Sequence, residues 1–296
     1  MLLTEKMKQD LFSQAEAEII KYMFEQRENI EDQTAKQIAE STYTHPSTLI
    51  RIAKKLGYSG WIEMKNIFLE EIDYLNSHFQ DIDANYPFDA NDNVMTVASK
   101  MATLNQITIS DTLSLIDHNE LQQVSALLNR SSQIKIFSQY NNLLLCYDFK
   151  SKMIKIGKQI NLCVGDAYDE AMNCDADTCA IVISYTGETN DVTGVLPVLR
   201  KQNTPIIALT SIGENTLSRH ADYVFRITTR EKLYSKIGSF TSSNSITYLL
   251  DVLYASVFSV DYEKNLANKI RVSEHSDHRK SSNEVMEEGK GSPLSR

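Results

Sequence analysis

Apolar residues recur at helical spacing in the first third of the chain. Ser13-Gln14-Ala15-Glu16 has the form of a capping box, and Ile19, Ile20, Met23 and Phe24 behind it mark an amphipathic helix. Thr34-Ala35-Lys36-Gln37 repeats the capping pattern and opens a short helix that carries Ile38 and Ala39 and ends near Ser41. After the turn Thr42-Tyr43-Thr44 a third helix starts around His45. It has Pro46 at its first position, Leu49, Ile52, Ala53 and Leu56 on one face, and Gly57 as its stop. A further helical stretch runs from about Trp61 to Phe79. The segment 81–93, rich in Asp, Asn and Pro, reads as a linker.

Two more helical patterns cover about Val94 to Leu115 and Asn119 to Leu128, and then the rhythm changes. Short β-prone runs appear at Ile134–Phe137, Ile160–Val164, Ala180–Ile183, Ile206–Leu209 and Tyr223–Ile227, with helical patterns between most of them. Strand and helix in alternation predict βαβ units, hence an α/β domain with a mostly parallel sheet flanked by helices. The expected division is an all-α helix-turn-helix domain over 1–80, the linker, an α/β domain over 94–265 and a charged, Ser-rich, disordered tail over 266–296.

Charge narrows the function of the first domain. The whole chain carries −9, which argues against holding nucleic acid by bulk attraction. Between Lys36 and Asn66, however, the cations Lys36, Arg51, Lys54, Lys55 and Lys65 exceed the anions Glu40 and Glu63, leaving a local +3. Two short helices joined by a tight turn, the second apolar on one side only, make a helix-turn-helix. Its outer face is expected to present Ser47, Thr48, Arg51, Lys54 and Lys55 to bases and phosphates in the major groove.

In the second domain, ligands are expected beyond the carboxyl ends of the strands. The run Ser184-Tyr185-Thr186-Gly187-Glu188-Thr189-Asn190 follows one apolar strand and precedes a helix. Three hydroxyls and a glycine at such a turn suit a phosphate, with the helix dipole in support. The bland alternative is that Thr189 or Asn190 merely caps the helix. Cys146, Cys163, Cys174 and Cys179 form no CxxC pair and have no histidine cluster beside them, so buried, reduced thiols are expected and neither a metal nor a cofactor is called for. The N-terminus has no secretory pattern and no apolar run is long enough to span a bilayer, so a cytoplasmic protein is expected.

The stretch Thr48-Leu49-Ile50-Arg51-Ile52-Ala53-Lys54-Lys55-Leu56-Gly57-Tyr58-Ser59-Gly60-Trp61, followed by Glu63-Met64-Lys65, resembles the N-terminal domain of the RpiR family of transcription regulators. Tyr43 stands where that family usually has a turn glycine, Thr44 where it has an apolar residue and His45 where it has a capping serine. A bulky residue in such a turn invites local strain. Ser-x-Thr-Gly-x-Thr after the strand, with Pro205-Ile206-Ile207-Ala208-Leu209-Thr210 and Ala221-Asp222-Tyr223-Val224 beyond it, is similar to the SIS phosphosugar-binding domain found in the C-terminal half of such regulators.

The resemblance implies that Ser184, Thr186, Gly187 and Thr189 hold the phosphate of a sugar effector. It also implies that Asn142 takes the place of a loop serine after the first strand, where Ser138-Gln139-Tyr140-Asn141-Asn142 replaces a glycine-rich turn. The implied function is a homodimeric regulator of sugar-metabolism genes whose affinity for operator DNA is set by a phosphorylated sugar. A phosphosugar isomerase using Glu188 or His220, and a regulator whose second domain only dimerises, are the alternatives.

Overall fold

The computed structural model describes residues 2–9, 11–76 and 82–276. Their contacts group into two units: one of residues 1–111 with 212–215 and 230–238, the other of 112–211, 216–229 and 239–296.

The first unit is helical: α1 (Leu3–Lys6), α2 (Gln14–Gln26), α3 (Ala35–Ser41), α4 (Pro46–Lys55), α5 (Trp61–Asn76) and the greater part of α6 (Val94–Ser114). The caps read from the sequence are in place. Ser13 N–H donates to Glu16 Oε2 at 2.8 Å, and Thr34 N–H donates to Gln37 Oε1 at 2.8 Å while Thr34 Oγ1 accepts from Gln37 N–H. Pro46 occupies the first turn of α4, and His45 Nδ1 accepts from Ser47 N–H. Ile19, Met23, Ile38, Leu49, Ile52, Met64 and Phe68 meet in one core, each fully buried. Each such side chain contributes roughly 2 kcal/mol of transfer free energy. The first helix is fastened to α5 by Glu71, whose carboxylate accepts from the N–H groups of Leu3 and Thr4 at 2.6 and 2.9 Å.

The second unit adds, in order, α7 (His118–Arg130), β1 (Gln133–Ser138), α8 (Tyr140–Lys155), β2 (Ile160–Leu162), α9 (Ala167–Met172), β3 (Thr178–Ser184), α10 (Asn190–Thr193), α11 (Leu196–Lys201), β4 (Ile206–Ser211), α12 (Thr216–His220), β5 (Tyr223–Ile227), α13 (Phe240–Val260) and α14 (Tyr262–Ser276). The sheet has the order β2-β1-β3-β4-β5 and every described pairing is parallel. Both faces are covered, and strand alternation decides which residue serves which face. Cys179, Ile181 and Ile183 of β3 with Ile207 and Leu209 of β4 pack under α7, α8 and α13; Ala180 and Val182 with Ile206 and Ala208 pack under α9 to α12. The chain leaves β1 in one direction across the sheet and returns to add β3 on its other side. The switch of direction between β1 and β3 opens the crevice where such sheets bind ligands.

Two expectations change. The stretch read as tail from 266 is helical through Ser276, because Leu266 and Ile270 are half-buried and Asn265, itself buried, donates to the carbonyl of Phe258 at 3.0 Å. Residues 277–296 of that tail lie outside the described residues. In the expected linker, Asp83 accepts from Asn85 N–H, Asn85 Nδ2 donates to Arg230 O, and Lys232 N–H donates to Asn85 Oδ1. Residues 230–238 group with the first unit, and these hydrogen bonds lie within it. Among the described residues no helix is long and apolar enough to cross a membrane, and no cluster of His, Cys, Asp and Glu is suited to a metal.

Candidate DNA-reading surface and effector pocket

In α4 the apolar stripe and the polar face separate, but not wholly as the sequence suggests. Ser47, Arg51 and Lys54 are exposed at helical positions i, i+4 and i+7, and Ile50, 49% exposed, sits among them. Thr48 is a correction: it is only 4% exposed, because it shares the inner face with Ile52 one turn on, and its Oγ1 accepts from Arg51 Nη2 at 3.3 Å. That bond steadies the guanidinium at the outer face. Lys55 leans toward α2, where it donates to Glu16 Oε2 at 3.1 Å and lies 5.2 Å from the centre of the Phe12 ring. It remains half-exposed, a positive charge at the margin of the face and not at its centre. Ile50 belongs to this surface too and is not among the contact residues expected from the sequence. An apolar residue on a polar stripe was the available signal.

The loop after β3 brings its three hydroxyls together. Ser184 Oγ lies 3.2 Å from Thr189 Oγ1, and Thr186 Oγ1 lies 3.4 Å from the same atom. Gly187 N–H donates to Ser184 Oγ at 3.1 Å and Glu188 N–H to Thr186 Oγ1 at 3.2 Å. Gly187 holds φ +67°, a left-handed conformation in which a side chain would be strained. Thr189 occupies the N-cap position of α10, but its hydroxyl makes no cap hydrogen bond there and points into the hydroxyl cluster instead. The cluster has hydroxyl and amide donors and no ionised group among its members, a set that can be redirected onto an anion.

A cleft of about 720 Å³ opens beyond the carboxyl ends of β1 and β2, against α10. Its walls include Ser138, Gln139, Asn141, Gly165, Asp166 and Asp191. The hydroxyl cluster is not among those walls. Nor is Asn142, which sits half-buried in the first turn of α8, its N–H bonded to Gln139 O. The wall residue at the cleft is Asn141, the neighbour of Asn142. The β2 loop, Cys163-Val164-Gly165-Asp166, carries no hydroxyl-rich motif in the sequence, although the rule of strand carboxyl ends points to it equally.

Both candidate bases bond to Thr216. Glu188 accepts from Thr216 Oγ1 and Thr216 N–H at 2.6 and 2.7 Å, and these bonds hold its carboxyl below the usual range. His220 Nδ1 lies 2.8 Å from Thr216 O, so that nitrogen carries the proton and donates it. The four cysteines are buried, and burial pushes the thiols of Cys146 and Cys163 up to about 12, leaving them unreactive.

Residues 1–74 match the family described as helix-turn-helix domain, rpiR family, and residues 136–256 match the SIS domain family. The chain joins a helix-turn-helix domain of the rpiR family to a SIS domain. Solved structures agree in fold. The Vibrio vulnificus NanR protein complexed with ManNAc-6P is 18% identical, over 94% of this chain and 100% of that one, with a TM-score of 0.57. The sugar isomerase domain of an RpiR transcription factor from Sphaerobacter thermophilus is 15% identical over 60% of this chain and 98% of that one, at 0.53. A candidate phosphosugar isomerase involved in capsule formation, from Bacteroides fragilis, is 11% identical over 60% and 97%, at 0.51. The RpiR-type chain thus pairs a helix-turn-helix with a SIS fold that other proteins also carry without one.

Proposed function

We propose that this RpiR-type chain is a cytoplasmic, homodimeric transcription regulator that reads operator DNA with α4 and changes its DNA affinity when a phosphorylated sugar binds beyond β1 and β3. Residues 1–80 form the reader and 94–265 the sensor. The observation that carries this reading is the presence, in one chain, of an exposed Ser47-Arg51-Lys54 stripe on a helix-turn-helix and a three-hydroxyl cluster at the sheet's switch point. Pairing follows from the geometry of such readers, which engage two half-sites about one helical turn apart. The effector acts because it binds two arrangements of the dimer unequally.

Ser184, Thr186, Gly187 and Thr189 take the phosphate, and Asn141 and Asp166 face the sugar. ManNAc-6P is the first effector to try, since the NanR protein similar to this chain over 94% of its length is complexed with it. The test is DNA affinity, by fluorescence anisotropy, with and without phosphorylated sugars. A change of about five- to 150-fold is the usual range of such coupling. Identical affinity across the sugars favours a second domain that only dimerises, a reading motivated by Gln139-Tyr140-Asn141 in place of a glycine-rich turn. On this reading the chain is a regulator, and the Glu188 side chain serves to fasten α12 through Thr216.

A further inference from the structure

Four helices end in the same way. The N–H two residues past the cap returns to the carbonyl three residues before the helix end, and the N–H between them pairs with the next carbonyl. After α4 these bonds are Tyr58 N to Ala53 O and Gly57 N to Lys54 O; after α8, Lys158 N to Met153 O and Gly157 N to Ile154 O. After α11 they are Thr204 N to Leu199 O and Asn203 N to Arg200 O; after α3, Thr44 N to Ala39 O and Tyr43 N to Glu40 O. The motif needs a left-handed residue, and φ is +93° at Gly57, +85° at Gly157, +56° at Asn203 and +52° at Tyr43.

Three of these positions carry Gly or Asn, which enter the left-handed region most easily. The fourth carries an aromatic. Tyr43 repays nothing to the fold, since its side chain is 100% exposed and buries no apolar surface. A residue that strains its own backbone and packs on nothing is explained by what lies outside the chain.

Position says what that is. Tyr43 stands three residues before Pro46, where α4 begins, so it flanks the end of the reading helix that approaches base edges. A tyrosine hydroxyl there has one donor hydrogen, and phosphate oxygens are the acceptors that border a major groove. We propose that Tyr43 is a DNA-contact residue whose hydroxyl donates to a backbone phosphate and fixes the register of α4. The proposal rests on the DNA-reading function above.

The test uses the full chain and duplexes enriched by the wild-type protein from a random-sequence pool, with a scrambled duplex beside them. Tyr43→Phe, which removes only the donor, is expected to weaken binding about three- to tenfold on both duplexes alike. Tyr43→Asn, which suits the turn, should bind at least as weakly while its thermal midpoint equals or exceeds that of wild type. Wild-type affinity in Tyr43→Phe, alongside a loss in Arg51→Ala, overturns this proposal alone. Failure of the wild-type protein to enrich any duplex overturns the DNA-reading function and this proposal with it.

Discussion

The outer face of α4 and the loop after β3 both gather polar groups, yet they spend them differently. On α4 the groups at the centre of the stripe, Arg51 and Lys54, are exposed and charged, and Arg51 makes one side-chain bond, to Thr48. In the loop Ser184, Thr186 and Thr189 bond to one another and to backbone N–H groups, and Ser184 is buried. On the proposed function the first surface meets a large polyanion whose own charge supplies the driving force. The second is a neutral, internally satisfied cluster, whose donors must exchange partners when an anion arrives. Removing one group should therefore cost more on α4 than in the loop.

Arg51→Ala gives the largest expected effect. Loss of one guanidinium that pairs with a base should weaken specific binding about ten- to 100-fold, measured by anisotropy on a selected duplex, with unfolding free energy within about 0.5 kcal/mol of wild type. Equal loss on a scrambled duplex would recast Arg51 as a phosphate contact. Ser184→Ala comes next. Its hydroxyl both meets Thr189 and accepts from Gly187 N–H, so the variant should lose about tenfold in affinity for an effective phosphorylated sugar by calorimetry. Undiminished affinity would move the phosphate to the neighbouring cleft.

How far these sites were legible depends on how local their signals are. The caps at Ser13 and Thr34 and the stop at Gly57 involve residues at most four apart, and the structure has each in the expected role. The five strands were readable because a doubly covered sheet needs continuous apolar runs. Thr48 was misplaced because a residue at the edge of a stripe differs from its neighbour by one 100° step, and only packing decides its side. The helix α14 was missed because Leu266 and Ile270 are single apolar residues among charges. The hydrogen bonds of Asn85 with Arg230 and Lys232 join residues about 145 positions apart, beyond any local pattern.

Two lysines, adjacent in sequence, sharpen the comparison within α4 itself. Lys54 is exposed on the stripe, whereas Lys55 is bonded to Glu16, whose side chain is 8% exposed. Lys54→Ala should reduce the slope of log affinity against log salt by about 1, and Lys55→Ala by distinctly less. Lys55→Ala should instead lower the thermal midpoint, because it leaves the Glu16 carboxylate half of a partly buried pair. Equal salt slopes in the two variants would place both ammonium groups on phosphates.

The smallest effect concerns Glu188, inside the loop but turned away from its hydroxyl cluster. Bonds from Thr216 Oγ1 and N–H hold its carboxyl below the usual range in the folded protein. A carboxyl lowered on folding contributes stability that is present above its unfolded pKa and lost as pH falls through the folded one. Thermal unfolding followed from neutral to acidic pH should therefore show wild type falling more steeply through that interval than Glu188→Gln, which cannot ionise. At neutral pH the variant should melt slightly lower, with effector affinity nearly unchanged, since Glu188 fastens α12 and the proposed phosphate site uses Ser184, Thr186 and Thr189. Parallel melting curves with a large loss of effector binding would reverse that division and bring Glu188 into the pocket.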